Sequence, residues 1–109
     1  MIEVNKENFE AEVLQADLPV IVDFWGPSCQ PCLELMPDVE ALSQAYDGKV
    51  KIVKLNSAQN RRLCINHRVM GLPAFLVFKN GEEVKRISGG DLTKEDIENL
   101  IKEVALVQS

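Results

Sequence analysis

At 109 residues the chain is long enough to bury a core without staples and too short for two ordinary domains, so it reads as a single domain over 1–109. Hydrophobic residues make up 46% and charged residues 27%, a water-soluble globular composition, and 17 acidic against 12 basic residues leave a formal net charge of −5. That balance, interrupted only by the Arg61-Arg62 pair, argues against nucleic acid and anionic membranes as partners, and no apolar run is long enough to span a bilayer.

The opening residues, MIEVNKENFE, carry neither a basic segment nor an apolar stretch of the secretory kind, so a cytoplasmic location is expected. A short strand is predicted near Ile2–Val4. Asn5 then caps a first helix whose apolar positions Phe9, Val13 and Leu14 fall at helical spacing. LPVIVDFW is β-branched and nearly continuously apolar, which suits a strand covered on both faces. After it Leu35, Val39, Leu42 and Tyr46 recur at steps of four, three and four, one face of a long helix from about Cys29 to Tyr46. Pro31 falls in the first turn of that helix, where a missing N–H costs nothing, and Pro37 falls inside it, where a kink is expected.

KVKIVKLN is the next strand, followed by a weaker, polar helix over 58–67. LPAFLVF and EEVKRIS flank Asn80-Gly81, a dipeptide that suits the positive φ angles of a tight hairpin. Thr93 with Asp96 three residues on forms a variant capping box, Leu92 and Ile97 a hydrophobic staple, and Ile97, Leu100, Ile101 and Val104 a buried stripe. The order β-α-β-α-β-α-β-β-α predicts an α/β fold with a mixed central sheet and helices on both faces.

The chemistry concentrates in WGPSCQPC, Trp25 to Cys32. Three cysteines cannot complete a disulfide framework, so Cys29-x-x-Cys32 points to redox chemistry or to metal. As a redox pair, Cys29 stands at a helix start, where free N–H groups and the macrodipole stabilise a thiolate, and Cys32 lies one turn in, placed to attack back. As a metal site, Cys29, Cys32, Cys64 and His67 would supply a Cys₃His set for structural zinc, although an α/β core needs no metal to fold. Two incidental core cysteines are the third reading. Asp23 is either a wet carboxylate at a strand end or a desolvated one of raised pKa, able to move the proton of the resolving thiol. His67 is expected at the surface, and Cys64, between Leu63 and Ile65, is either a small core residue or a reactive thiol.

Taken together, VDFW ahead of the cysteines, C-x-P-C at a strand-to-helix junction, Pro37, VKLN, GLPAFLVFKNG and the Gly-Gly before the last helix resemble the thioredoxin family over nearly the whole chain. The resemblance implies the thioredoxin fold, a central mixed five-stranded sheet flanked by four helices, and a disulfide reductase with no cofactor or metal of its own. It implies Cys29 as the exposed attacking thiol and Cys32 as the buried resolving one. Asp23 matches the family's proton-shuttling carboxyl, and Lys54 the lysine that modulates it. Pro73 would be cis, with a substrate groove at Trp25, Pro31, Gly71, Leu72, Pro73 and Gly89 and with Gln30 on its rim. The implied partners are a thioredoxin reductase and disulfide-containing protein substrates, and the chain is expected to be a monomer.

Two other roles remain at this level. One is a scaffold on the same fold, which would need no nucleophile; the other is a disulfide-forming oxidase, which would need an oxidising compartment. The chain departs from the family at Ser28, Gln30 and Leu33, where an aromatic residue, a glycine and a lysine are usual. Losing a cation at Leu33 and adding Glu34 should weaken the Cys29 thiolate and make the couple more reducing, with hydrogen bonds to sulfur from Ser28 or Gln30 as a possible offset.

Overall fold

The computed structural model describes residues 1–106, and residues 107–109 lie outside the described part. Among the described residues there are five strands, β1 (Ile2–Val4), β2 (Val20–Trp25), β3 (Lys51–Asn56), β4 (Ala74–Lys79) and β5 (Glu82–Ser88). Four helices accompany them: α1 (Glu10–Leu14), α2 (Gln30–Ala45), α3 (Arg61–Asn66) and α4 (Lys94–Leu106). The strands form one mixed sheet in the order β1-β3-β2-β4-β5. The pairs β1–β3 and β2–β3 are parallel, and the pairs β2–β4 and β4–β5 are antiparallel.

Alternation along the strands divides the core in two. Ile21, Ile52, Phe75 and Val77 point to the face covered by α2 and α4, where they meet Leu35, Val39, Leu42, Ile97, Leu100 and Ile101. Val20, Val22, Phe24, Val53, Leu55, Leu76 and Phe78 point to the other face, against Phe9, Val13 and the partly buried Leu63 and Cys64. β2 and β3 sit between these clusters, which is why LPVIVDFW contains almost no polar residue.

Three local predictions are met. Asn80 and Gly81 adopt φ 54° and 81° and close the β4–β5 hairpin. The Thr93 hydroxyl accepts from the Asp96 N–H at 3.2 Å while the Asp96 carboxylate accepts from the Thr93 N–H at 2.9 Å, the reciprocal capping box. Pro31 lies in the first turn of α2 and Pro37 in its interior.

Two helices differ from expectation. Asn5 does cap the first helical turns, accepting from the Glu7 N–H at 2.8 Å and the Asn8 N–H at 3.2 Å. The continuation α1 is wide-pitched, however, with Gln15 N–H donating to the Glu10 carbonyl five residues back at 2.9 Å. The helix expected over 58–67 is confined to 61–66. The Asn56 side chain accepts from the Ala58 N–H at 3.0 Å and Asn60 Nδ2 donates back to the Asn56 carbonyl at 2.9 Å, a turn that delays helix entry.

Candidate active site

β2 ends at Trp25, and the loop 26–28 carries the chain to the start of α2. Gly26 is buried there, and a side chain would be tight: a Cβ would lie 3.2 Å from Leu72 Cδ1, which would have to give way. Cys29 follows as the N-cap of α2, extended at φ −94° and ψ 101°. Its N–H donates to the Gly26 carbonyl at 3.0 Å, its carbonyl accepts from the Leu33 N–H at 3.1 Å, and its Sγ accepts from the Cys32 N–H at 3.3 Å. The sulfur thus occupies the place an oxygen takes in an ordinary N-cap, facing the positive end of the helix dipole. Cys29 and Cys32 are joined as a disulfide with their Cα atoms 5.3 Å apart. Cys29 is half-exposed, whereas Cys32 is 1% exposed.

Asp23 shares the parity of Ile21 on β2, so its side chain faces the sheet surface that α2 covers, the helix whose first turn holds Cys32. It is 1% exposed, and its Oδ1 has no hydrogen-bond partner among the described residues. Burial pushes its pKa up to about 7, and the nearby Lys54 ammonium pulls in the opposite direction without cancelling that effect. Asp23 and Lys54 are direct register neighbours across the parallel β2–β3 pair and therefore project from the same face. The wet strand-end reading of Asp23 is set aside by this burial. Trp25 Nε1 and Ser57 Oγ are also buried without a protein partner, and the Ser57 N–H donates to the Trp25 carbonyl at 2.8 Å. Unpartnered polar atoms are rare in native interiors, and here they gather around the end of β2 that leads into the dithiol.

The Leu72–Pro73 peptide is cis, as the resemblance implies. The Pro73 carbonyl accepts from the Gly89 N–H at 3.1 Å, which ties the segment before β4 to the loop before α4. Gly89 is at φ 132°, a backbone region that side chains rarely enter. Its neighbour Gly90 faces Pro31, the residue just before Cys32: a Cβ there would lie 3.5 Å from the Pro31 ring. Gly71 is exposed and in open space. Gln30 is exposed and its amide donates to Glu34 Oε1 at 3.3 Å.

A groove of about 720 Å³ opens beside Cys29, between the loop 26–29, α3 and the segment before Pro73. Arg61, Cys64 and Ile65 of α3 and Val69, Met70 and Leu72 of the segment before Pro73 line it. Of these, the sequence marks only Leu72 and Cys64 as candidates; the Arg61-Arg62 pair and the apolar residues just before Pro73 are its signals for the rest. The possible zinc ligands do not assemble. Among the described residues no three His, Cys, Asp or Glu side chains converge on a point that could hold a metal ion. The His67 ring, expected at the surface, packs instead against Phe9 and Phe78, with centroid distances of 5.1 and 5.5 Å.

Comparison with known proteins gives one answer. The thioredoxin family model matches residues 1–103. A thioredoxin of Peptoclostridium acidaminophilum is 42% identical over 101 residues, covering 93% of this chain and 92% of that protein. One of Acetoanaerobium sticklandii is 38% identical over 102 residues, covering 94% and 97%, and thioredoxin C-2 of Corynebacterium nephridii is 42% identical over 89 residues, covering 82% of each.

Proposed function

Since the chain belongs to the thioredoxin family, as a protein-disulfide oxidoreductase with a C-x-x-C active site, we propose how its residues divide the work. Cys29 is the attacking thiol and Cys32 the resolving one. The observation that carries this division is their unequal exposure: Cys29 is reachable at the rim of a groove, and Cys32 is sealed beneath it. In the reduced protein the Cys29 thiolate attacks one sulfur of a substrate disulfide, forming a mixed disulfide and releasing the other sulfur as a thiolate that takes up a proton. Cys32 then loses its proton to the Asp23 carboxylate and attacks Cys29 Sγ. The mixed disulfide breaks, the Cys29–Cys32 disulfide forms, and the substrate leaves with both electrons.

Lys54 acts through Asp23, because its ammonium favours the ionised carboxylate that must accept the proton. Trp25, Pro31, Gly71, Leu72, Pro73 and Gly89 line the approach to the dithiol, with Gln30 on its rim. The whole chain, 1–109, works as one domain and as a monomer. It needs no cofactor of its own and is re-reduced by a thioredoxin reductase. No helix among the described residues is long and apolar enough to cross a membrane. The proposed place of work is the cytoplasm.

The experiment is reduction of a disulfide-bonded protein by the reduced chain. The parent turns over when supplied with a reductant, and Cys29→Ser does not. Equal turnover by Cys29→Ser would overthrow the reading.

A further inference from the structure

The charges of this acidic chain are unevenly distributed. Residues 48–81 hold seven of the 12 basic residues and no Asp or Glu, so the rest of the sequence contains all 17 carboxylates. This segment runs through β3, α3 and β4 and supplies most of the groove beside Cys29. No carboxylate lines that groove, and Arg61 stands in its wall without a hydrogen bond or ion pair to any described residue. By contrast, Arg86 is held by Glu83, Lys51 by Glu12 and Lys85 by Glu103.

The same groove is apolar where it faces outward. Met70 is 96% exposed and Ile65 is 70% exposed, among the largest apolar exposures in the described chain. An exposed methionine beside isoleucine and leucine offers an adaptable surface for an apolar side chain. The groove is continuous with the dithiol, because Cys29 is part of its lining. Glu34 and Asp38 lie on α2, outside the lining of that groove.

We infer that this groove selects, among disulfide-bearing proteins, segments that carry an apolar side chain and a carboxylate close to the attacked cysteine, with Arg61 as the partner of that carboxylate. The inference rests on the reductase reading and names its substrate class. The polarity of the site also sets a direction. A bound segment lies with its acidic end toward α3 and away from Glu34 and Asp38, where like charges would repel it. The net charge of −5 repels acidic partners at long range, so discrimination depends on the local field of Arg61 rather than on steering by the whole molecule.

The test uses three disulfide-closed peptides, identical except for Glu, Gln or Lys two residues from a cysteine that follows leucine. Their kcat/KM values are measured with the full chain at low salt and at high salt, alongside 2-hydroxyethyl disulfide as a small neutral substrate. The Glu peptide should be reduced about three- to tenfold faster than the Lys peptide, and the gap should shrink at high salt. Arg61→Glu should reverse the order and Arg61→Gln should bring the peptides within about twofold of each other. Lys102→Glu, which makes the same charge change outside the groove, should preserve the preference. Equal rates for the three peptides, a preference that survives Arg61→Glu, or an equal loss in Lys102→Glu would each overturn the assignment. Failure of the parent to reduce the small neutral disulfide would instead strike the reductase reading itself.

Discussion

Cys29 and Cys32 carry the same thiol in different surroundings, and the assigned mechanism depends on that difference. Cys32 is 1% exposed, so an external disulfide reaches Cys29 alone. Cys32→Ser should therefore still form a mixed disulfide through Cys29 but be unable to release it. The variant should accumulate as a covalent adduct visible by non-reducing mass measurement, and steady turnover by it would reverse the roles. In the proposed mechanism Asp23 acts one step later. A carboxyl that titrates near 7 is half-ionised at neutral pH, which suits it to take a proton and return it. Asp23→Asn keeps the shape and removes the base, so release of the mixed disulfide should slow by about 10²-fold near neutrality. In the parent this step should quicken as pH rises through about 7, and in the variant that inflection should disappear. A rate that falls without any change in pH profile would leave Asp23 with a structural role only.

In the proposed mechanism the first turn of α2 is the element that tunes the dithiol. Leu33 is 41% exposed and brings no charge to a position just beyond Cys32, while Glu34 lies one residue further on. Gln30 donates from its amide to Glu34. A weakly stabilised thiolate favours the oxidised protein and makes the couple a reductant, so equilibration with glutathione should give a potential clearly below about −180 mV. Leu33→Lys should shift the Cys29 titration to lower pH and move the potential upward; a higher titration point would show that the helix start is governed by something other than charge. At the far end of the chain, Thr93→Ala removes half of a reciprocal cap and should cost about 1 kcal/mol, read by denaturant unfolding. Elements with strong local signals were the legible ones. Val20–Trp25 is apolar throughout, Asn80-Gly81 needs positive φ, and Thr93 with Asp96 forms a closed local unit. The wide pitch of α1 and the late start of α3 depend on bonds such as Gln15 to Glu10 and Asn60 to Asn56, which competed with helix spacing and left no periodic trace. In the site, Cys29, Cys32 and Asp23 could be read from the strand–turn–helix run, because strand parity and helix start fix where they face. Arg61, Met70 and Gly90 could not, since only tertiary folding brings three distant segments around the dithiol.

Across the whole molecule one sheet separates two apolar clusters, and among the described residues Asp23 and Asn56 are the polar or charged residues buried as a whole. Asn56 is accommodated, with its side-chain oxygen accepting from Ala58 N–H. Asp23 is not, and the imbalance makes global stability depend on pH. Its carboxyl has a pKa of about 7 in the folded protein against an ordinary value of 3.8, so between those values the folded state holds the proton and the unfolded state does not. Stability from this group is complete below about pH 4 and is lost as pH rises toward and through 7. A difference of about three pKa units corresponds to roughly 4 kcal/mol at alkaline pH. His67 has the opposite sign, because burial pushes its pKa down, with Glu83 opposing and Arg86 assisting, so its contribution is lost as pH falls. Comparing the parent with Asp23→Asn at each pH removes the His67 term and isolates the carboxyl. The variant should be close to the parent in stability near pH 4 and should become progressively more stable than the parent by pH 8. Denaturant midpoints at both pH values measure this, and a stability difference that stays constant between them would mean that Asp23 is not held as a desolvated acid.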